Sequence, residues 1–334
     1  MFKKCLISWA AFGLWISSAI ARPLFVVTTI PDLAAIAAYV GGDVVTVRSI
    51  AQGHEDPHFL QARPAFVIQA RQAELWIRAG MELEMGWEPV LLESARNPRI
   101  LPGAPGFLDL SEHIPVILDV PQEKVTRAQG DVHPSGNPHY LLDPRNARAA
   151  AWAIGRKLAE LRPEHTKQFE EGAQRFVREI DERMFGSRAL AHAEGDELWD
   201  RLEAGTLETW LRDRELAAEG WYGRAARRGR RPIVTFHKSF TYAAHRFGIE
   251  VAAHLEPVPG VPPSPAHLTR VIATMRANGV DRILMEPFYP RKPAEFVAER
   301  TGARVIVVST YAPDIRPDAW FRMMETIVDA LTAE

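Results

Sequence analysis

Short apolar runs rich in Val and Ile alternate with helix-type patterns along most of the 334-residue chain. Such alternation is typical of βα units, in which successive strands pair in parallel and helices cover the sheet. The predicted strands fall into two groups, residues 24–30, 44–50 and 75–78, and residues 232–236, 250–254, 282–285 and 304–308. The pattern therefore predicts an α/β protein with two lobes, each built on a mainly parallel sheet with flanking helices.

Two helical patterns lie between these lobes. The second is highly charged, and Phe169, Phe176 and Ile180 form one narrow apolar stripe, as in a long amphipathic helix. We expect one long rigid helix to join the lobes, followed by a short helical insertion whose basic run at 224–231 is typical of a solvated loop. The predicted organisation is a signal peptide (1–21), a first lobe (22–162), a connecting helix (163–186), a helical and basic insertion (187–230) and a second lobe (231–334).

Residues 1–21 have the three parts of a secretory signal, with two early lysines, an apolar run and small residues at its end. A membrane anchor is the alternative, but this apolar run is shorter than the roughly 18 residues that a span requires. We predict that the segment is cleaved and that the protein is exported. Cleavage removes Cys5, the single cysteine, so the mature chain has no thiol for disulfides or thiolate metal ligands.

The charge of the chain is nearly balanced, with 40 basic and 42 acidic residues and a formal net charge of −2. Binding to a nucleic-acid backbone requires an excess of positive charge that can displace counterions. The composition therefore argues against nucleic acid as a partner.

Three of the 11 histidines, His58, His139 and His237, lie in loops next to predicted strands or connecting helices. In open α/β sheets, ligands bind beyond the carboxyl ends of the strands. Three imidazoles and one oxygen donor complete a tetrahedral Zn²⁺ site. We predict that these three histidines form a metal site. His133 either lines its mouth or has no role.

The segment from His54 to His58 also matches the H-E-x-x-H pattern of zinc proteases. That pattern binds zinc because a helix places both histidines on one face. Pro57 lacks a backbone donor and disfavours a helical conformation at the preceding residue. We therefore expect a loop here and reject the protease interpretation.

Five blocks of the sequence resemble, in the right order, the periplasmic zinc- and manganese-binding proteins of zinc-uptake type that serve ATP-driven metal importers. The blocks are VVTTIPDLAAIAAYVGGD, GHEDPHFLQARPAFVIQARQAEL, GNPHYLLDPRNA, VTFHKSFTYAAHRFGIE and LMEPFYPRKPAEFVAERTGARV. The resemblance covers nearly all of the predicted mature chain apart from about residues 187–230.

The resemblance implies two α/β lobes, a single rigid connecting helix and a metal held in the cleft between the lobes. It implies that His58 and His139 of the first lobe and His237 of the second lobe are the ligands. It also implies a periplasmic protein that serves an ATP-driven metal importer. The sequence has no separate general base of comparable specificity near the three histidines, so we expect a non-catalytic protein that delivers the metal to the importer's permease. We also expect a monomer, with a periplasmic metallochaperone as a further candidate partner.

The fourth ligand is where the sequence departs from the family. The family often has an acidic residue shortly after the last strand, and the matching position here is Ser309, whose alcohol is a poor zinc ligand. The remaining candidates are Glu286 at the end of a strand, Asp314, Glu55 or a water molecule. We expect Glu286 on placement, although the matching glutamate of the family can lie outside the inner ligand set.

Three imidazoles favour Zn²⁺ over Mn²⁺, which prefers more carboxylates. Metal binding requires neutral histidines, so we expect the affinity to fall steeply below about pH 6. Three other functions are open at this point: a secreted zinc hydrolase that uses the same histidines with water as fourth ligand, a binder of siderophore-type metal chelates, and an adhesive or scaffolding surface protein.

Overall fold

Two four-stranded parallel sheets organise the chain, which a computed structural model describes for residues 22–122, 133–229, 231–258 and 260–333. The predicted signal peptide lies outside these described residues. The strand order is β2-β1-β3-β4 in the first sheet and β6-β5-β7-β8 in the second. The strands are β1 (Leu24–Thr28), β2 (Val45–Ser49), β3 (Leu75–Arg78), β4 (Phe107–Asp109), β5 (Ile233–Thr235), β6 (Val251–His254), β7 (Arg282–Met285) and β8 (Arg304–Val307). The predicted fold class is confirmed.

The first lobe contains three helices around its sheet and continues into a fourth. Prolines begin several of them, because the first helical position needs no backbone donor. Asp143 caps the fourth helix by accepting a hydrogen bond from the amide of Arg145. The helices are α1 (Pro31–Gly41), α2 (Pro64–Gln72), α3 (Glu88–Ala95) and α4 (Pro144–Leu161). The sequence interpretation missed α3 and the three-residue strand β4.

The predicted connecting helix is α5 (Thr166–Phe185), which spans 20 residues, or about 30 Å at 1.5 Å per residue. Phe169, Phe176 and Ile180 are fully buried, so the predicted apolar stripe is confirmed. The helix packs against α1 and α4, and Gly172 permits the closest approach. A Cβ atom at Gly172 would lie 2.2 Å from the carbonyl oxygen of Val40. The connector is therefore held along its length by neighbouring helices.

The segment that follows α5 is helical, as predicted, and forms α6 (Ser187–Leu190), α7 (Gly195–Glu203), α8 (Leu207–Arg212) and α9 (Gly220–Arg228). The prediction of a solvated loop at 224–231 is wrong for its first half, which belongs to α9. Arg224 pairs there with Glu325 and Asp329, both at 2.6 Å. Arg224 therefore joins α9 to the last helix. The predicted domain boundaries stay predictions.

The second lobe contains α10 (Thr241–Arg246), α11 (Pro265–Asn278), α12 (Lys292–Thr301) and α13 (Ala319–Thr332). Ser264 caps α11, and Gly279 ends it in the left-handed conformation, as the sequence predicts. Helix α13 packs against α1, α9 and α10, so the two lobes share part of one apolar core. Within the described residues, no helix is both long and apolar enough to span a membrane.

Candidate metal centre

The three predicted histidines come together where the carboxyl ends of the two sheets face each other. His58 lies in a short turn, Pro57–Phe59, in the loop that follows β2. His139 directly precedes the turn that leads into α4, and His237 follows β5 after one intervening residue. Each ring offers one nitrogen atom to the site, and these three nitrogen atoms all lie within 4.8 Å of one another.

The ring positions suit a single small cation. The ring centroids are 5.4 Å apart for His58 and His139, 6.0 Å for His58 and His237, and 5.8 Å for His139 and His237. Zinc binds imidazole nitrogen at about 2.0–2.1 Å, so three nitrogens this close can reach one ion with small side-chain movements. The side chains of His58 and His237 are 5% and 6% exposed, so water has little access to the cluster.

Each of these rings also has a partner at Nδ1. The carboxylate of Asp56 lies 2.7 Å from Nδ1 of His58, and that of Glu256 lies 2.6 Å from Nδ1 of His237. The hydroxyl oxygen of Tyr311 lies 3.3 Å from Nδ1 of His139. Such contacts fix the orientation and tautomer of an imidazole and direct Nε2 towards a metal.

The electrostatic environment favours cation binding. Burial lowers the pKa of His139 well below its usual value, and the charges of His58, His237 and His133 lower it further. His139 is therefore neutral at pH 7, which is the form that binds metal. Burial alone would raise the pKa of Asp56, but the hydrogen bond and charge of His58 outweigh it and lower that pKa. Asp56 is thus an anion beside the cluster.

Of the predicted fourth ligands, Glu286 occupies the most suitable position. It is fully buried directly after β7, and neither carboxylate oxygen has a well-formed hydrogen bond within the described residues. The pKa of Glu286 is raised to about 7, because burial outweighs the lowering effects of the charge of His237 and the hydroxyl of Ser239. The cluster of mutually close ligand atoms contains the three histidines and not Glu286. Its role as a ligand stays a prediction.

The other oxygen candidates are bound elsewhere. Glu55 accepts hydrogen bonds from Arg63 and from the amide of Gln52. Asp314 pairs with Arg316 and Arg322. The hydroxyl of Ser309 donates to the carbonyl oxygens of Gly53 and Tyr311, at 2.9 and 3.0 Å.

Two further predictions concern neighbouring histidines. His133 lies beside the cluster, with its ring centroid 5.3 Å from that of His58 and its Nδ1 2.8 Å from the carbonyl oxygen of Met81. His54 is exposed, and the segment from His54 to His58 contains no α-helix. The rejection of the helical zinc-protease motif is confirmed.

The lobes touch directly beside the site. The amide of Ala312 in the second lobe donates to the buried carboxylate of Asp32 in α1, at 3.2 Å. A Cβ atom at Gly53 would lie 2.4 Å from the carbonyl oxygen of Ala312, so this approach requires glycine. Burial raises the pKa of Asp32 to about 7, opposed by its hydrogen bond from Ala312. The cluster of three histidines therefore lies in a cleft that is closed on this side.

Sequence reasoning missed Asp56, Glu256 and Tyr311. Asp56 is recognisable from the sequence, because an Asp before Pro often caps a short turn. In the structure its carboxylate accepts a hydrogen bond from the amide of His58. Glu256 follows β6, which neighbours β5 in the sheet, but that neighbour relation is visible only in the structure. Tyr311 carries no signal, since an isolated tyrosine near a strand end is common.

Comparison with known protein families gives one match across most of the chain. The model of a family described as the periplasmic component A of a zinc-uptake complex matches residues 26–184 and 216–334. The unmatched stretch between them, residues 185–215, includes the last two residues of the predicted connecting helix and otherwise lies within the predicted insertion.

Similar curated proteins have different metals in their names. The iron-binding protein YfeA of Yersinia pestis is 27% identical over 312 residues, which cover 90% of this chain and 81% of that protein. The high-affinity zinc uptake system protein ZnuA of the same organism is 24% identical over 295 residues, which cover 84% and 80%.

Solved structures share the fold. A crystal structure of ZnuA matches with a TM-score of 0.67 and 21% identity, covering 92% of this chain and 99% of that one. A manganese-bound periplasmic metal-binding protein from Candidatus Liberibacter asiaticus matches with a TM-score of 0.64 and 19% identity, again covering 92% and 99%. At these identities the likeness establishes the two-lobed architecture.

Proposed function

Because the chain belongs to the family of periplasmic zinc-uptake components, we propose that it binds one Zn²⁺ at His58, His139 and His237 and delivers it to an ATP-driven importer. The observation that carries the proposal is the approach of these three ring nitrogens to within 4.8 Å of one another. The rings come from both lobes, as capture in an interlobe cleft requires. Nδ1 of each ring is engaged, so the proposal assigns Nε2 as the metal-binding atom.

The donor set favours zinc among divalent metals. Neutral imidazoles are good ligands for Zn²⁺, whereas Mn²⁺ prefers sites with more carboxylate oxygens. Glu286 supplies one oxygen in the proposal, with water as the alternative fourth ligand. One relative is named for iron and one structural neighbour was solved with manganese bound, so the metal preference of this chain needs a direct experiment.

The finer points of the proposal concern the state and partners of the chain. Proteins of this family are solute-binding components that work with a membrane permease and its ATPase. We propose that this chain is a non-catalytic monomer, that residues 1–21 are cleaved on export, and that a periplasmic metallochaperone is a second partner. Native mass spectrometry of the exported protein reports the mature mass and the number of chains together.

The direct test is elemental analysis combined with native mass spectrometry of the purified mature protein. We expect one zinc per chain, and we expect His139→Ala to lose it because the remaining two imidazoles are too few for tight binding. His192→Ala is the matched control, since His192 is exposed in the insertion. Full zinc occupancy in His139→Ala, or no zinc in the wild type, would contradict the proposal.

Metal preference is tested by competition. Metal-free protein is dialysed against equal concentrations of Zn²⁺, Mn²⁺ and Fe²⁺ under anaerobic conditions, and the bound metals are quantified. We expect zinc to predominate. Predominance of manganese or iron would overturn the assignment of zinc as the transported ion while leaving the site itself in place.

A further inference from the structure

A tight turn in the second lobe lies next to the cluster of three histidines. The amide of Val261 donates to the carbonyl oxygen of Val258 at 2.9 Å, which closes the turn. Gly260 has a φ of +79°, in the left-handed region that favours glycine. Gly260 is exposed, and Val261 is 43% exposed, so the turn faces solvent.

The turn is connected to a metal-site histidine through a single carboxylate. The closing hydrogen bond of the turn uses the amide of Val261, which leaves the amide of Gly260 to donate to Oε1 of Glu256 at 3.0 Å. Oε2 of the same carboxylate lies 2.6 Å from Nδ1 of His237. Glu256 is 9% exposed, so few other donors can reach it.

This arrangement differs from the equivalent pair in the first lobe. Asp56 contacts Nδ1 of His58 and also accepts the amide of His58 itself, so both of its contacts belong to the same residue. Glu256 instead links His237 to a solvent-exposed segment. Within the described residues around the cluster, this link offers a direct path from the surface to the orientation of a ligand ring.

We propose that Glu256 is a positioning residue that couples the exposed Gly260 to the His237 ring, so that displacement of Gly260 loosens the bound metal. The inference rests on the proposed function and adds a route for metal release on contact with the importer. Moving the turn takes one donor from a buried carboxylate, and the carboxylate must then shift to regain a partner. Because it also holds Nδ1 of His237, that shift rotates the ring away from the ion.

The first test is independent of metal. Long-range proton–nitrogen NMR spectra of the metal-free protein report the hydrogen bonding of each histidine ring. Gly260→Ala strains the turn because an alanine rarely adopts this φ. We expect the Nδ1 signal of His237 to shift and that of His58 to stay unchanged.

The second test measures release. Zinc is removed by a chelator in a stopped-flow experiment, and we expect Gly260→Ala to raise the dissociation rate roughly tenfold, at the lower end of the effects of outer-sphere partners on metal affinity. Gly279→Ala is the matched control, because Gly279 also has a positive φ of 62° and lies at the end of α11, with no atom near its added Cβ. The control should leave the rate unchanged.

A third variant separates positioning from folding. Glu256→Gln keeps the shape of the side chain but offers only one acceptor atom, so it cannot serve both His237 and Gly260. We expect faster zinc release by a factor of roughly 10–100, and an altered visible spectrum when Co²⁺ replaces zinc. Glu256→Asp, which keeps the charge but shortens the side chain, should restore the spectrum in part.

The possible outcomes test the coupling through Glu256 separately from the proposed zinc-binding function. If Gly260→Ala leaves both the His237 signal and the release rate at wild-type values, the coupling does not exist. If Gly260→Ala and Gly279→Ala raise the rate equally, the effect is general destabilisation and the inference is overturned. If the wild type binds no zinc, the proposed function fails, while the NMR comparison still decides whether the turn controls the ring.

Discussion

In the proposed site, Glu286 is the residue that we expect to affect metal preference most. It is fully buried after β7, and burial raises its pKa to about 7. We expect Glu286→Gln to weaken zinc binding by a factor of roughly 10, because an uncharged amide is a poorer ligand and compensates no cation charge. Competition with a fluorescent chelator measures this, with the exposed Glu295→Gln in α12 as control. Unchanged affinity would assign the fourth position to water.

We expect Asp32 to make the stability of the metal-free protein depend on pH. Its folded pKa of about 7 exceeds the ordinary value of 3.8, so the stability that it contributes is fully present below about pH 4 and is lost as the pH rises to 7. The loss amounts to at most about 4 kcal/mol, at 1.36 kcal/mol for each pKa unit. We expect Asp32→Asn to be more stable than the wild type at pH 8 and to have a flatter pH profile between 4 and 7.

Urea unfolding at a series of pH values measures this effect. Other buried carboxyl groups titrate in the same range, including Glu84, whose pKa burial raises to about 7. The difference between wild type and variant isolates Asp32. Asp43→Asn on the surface is the control. A constant difference across this pH range would contradict the expectation.

At the residue scale, the sequence predicts a site residue where a side chain able to bind metal also lies at a predicted strand end or loop. His58, His139 and His237 could be selected because each lies in a loop at or near the carboxyl end of a strand or ahead of a connecting helix. Glu256 and Tyr311 could not, because their roles depend on which strands are neighbours and on how the lobes meet. Hydrogen-bond partners of ligands are set by tertiary packing, which leaves little trace in local sequence.

At the scale of elements, a buried ion network joins the lobes to the insertion. Arg246 in α10 forms two hydrogen bonds with Asp143 at the start of α4, at 2.8 and 2.7 Å. It also pairs with Glu203 of α7 at 2.7 Å. The guanidinium group lies 5.2 Å from the ring of Trp199, which is fully buried. The insertion is thus part of the junction between the lobes.

We expect Arg246→Met to lower the free energy of unfolding by about 3–5 kcal/mol, because it leaves the buried carboxylate of Asp143 without its cation. Denaturant unfolding measures the change. Lys167→Ala is the control, since Lys167 is 90% exposed and its pair with Glu171 contributes at most about 0.5 kcal/mol. A loss for Arg246→Met as small as that of the control would show that the junction does not depend on this pair.

Element prediction succeeded where periodicity was long and failed where it was short. The stripe of Phe169, Phe176 and Ile180 extends over three turns and predicts α5 well. Strand β4 has three residues, too few to establish an alternation. The basic run predicts a loop because charge alone does not reveal the acidic partners of Arg224 in α13, which lie about 100 residues further along the chain.

At the scale of the whole molecule, the lobes are connected by several contacts besides the connecting helix. Ser309 donates to the carbonyl of Gly53, and Tyr242 donates to the carbonyl of Asn137, at 2.9 and 2.8 Å. We therefore expect a small closing motion, with the radius of gyration of zinc-free and zinc-bound protein agreeing to about 1 Å. Small-angle scattering measures both states. A difference of several ångströms would contradict a rigid junction.

Helix α13 places the end of the described chain against its beginning. Its Trp320 and Phe321 pack against Phe176 of α5, with ring centroids 5.4 and 4.8 Å apart, and the helix also touches α1. Because α5 and α13 lie far apart in the sequence, a growing chain can complete this aromatic centre only after residues 319–332 have been synthesised.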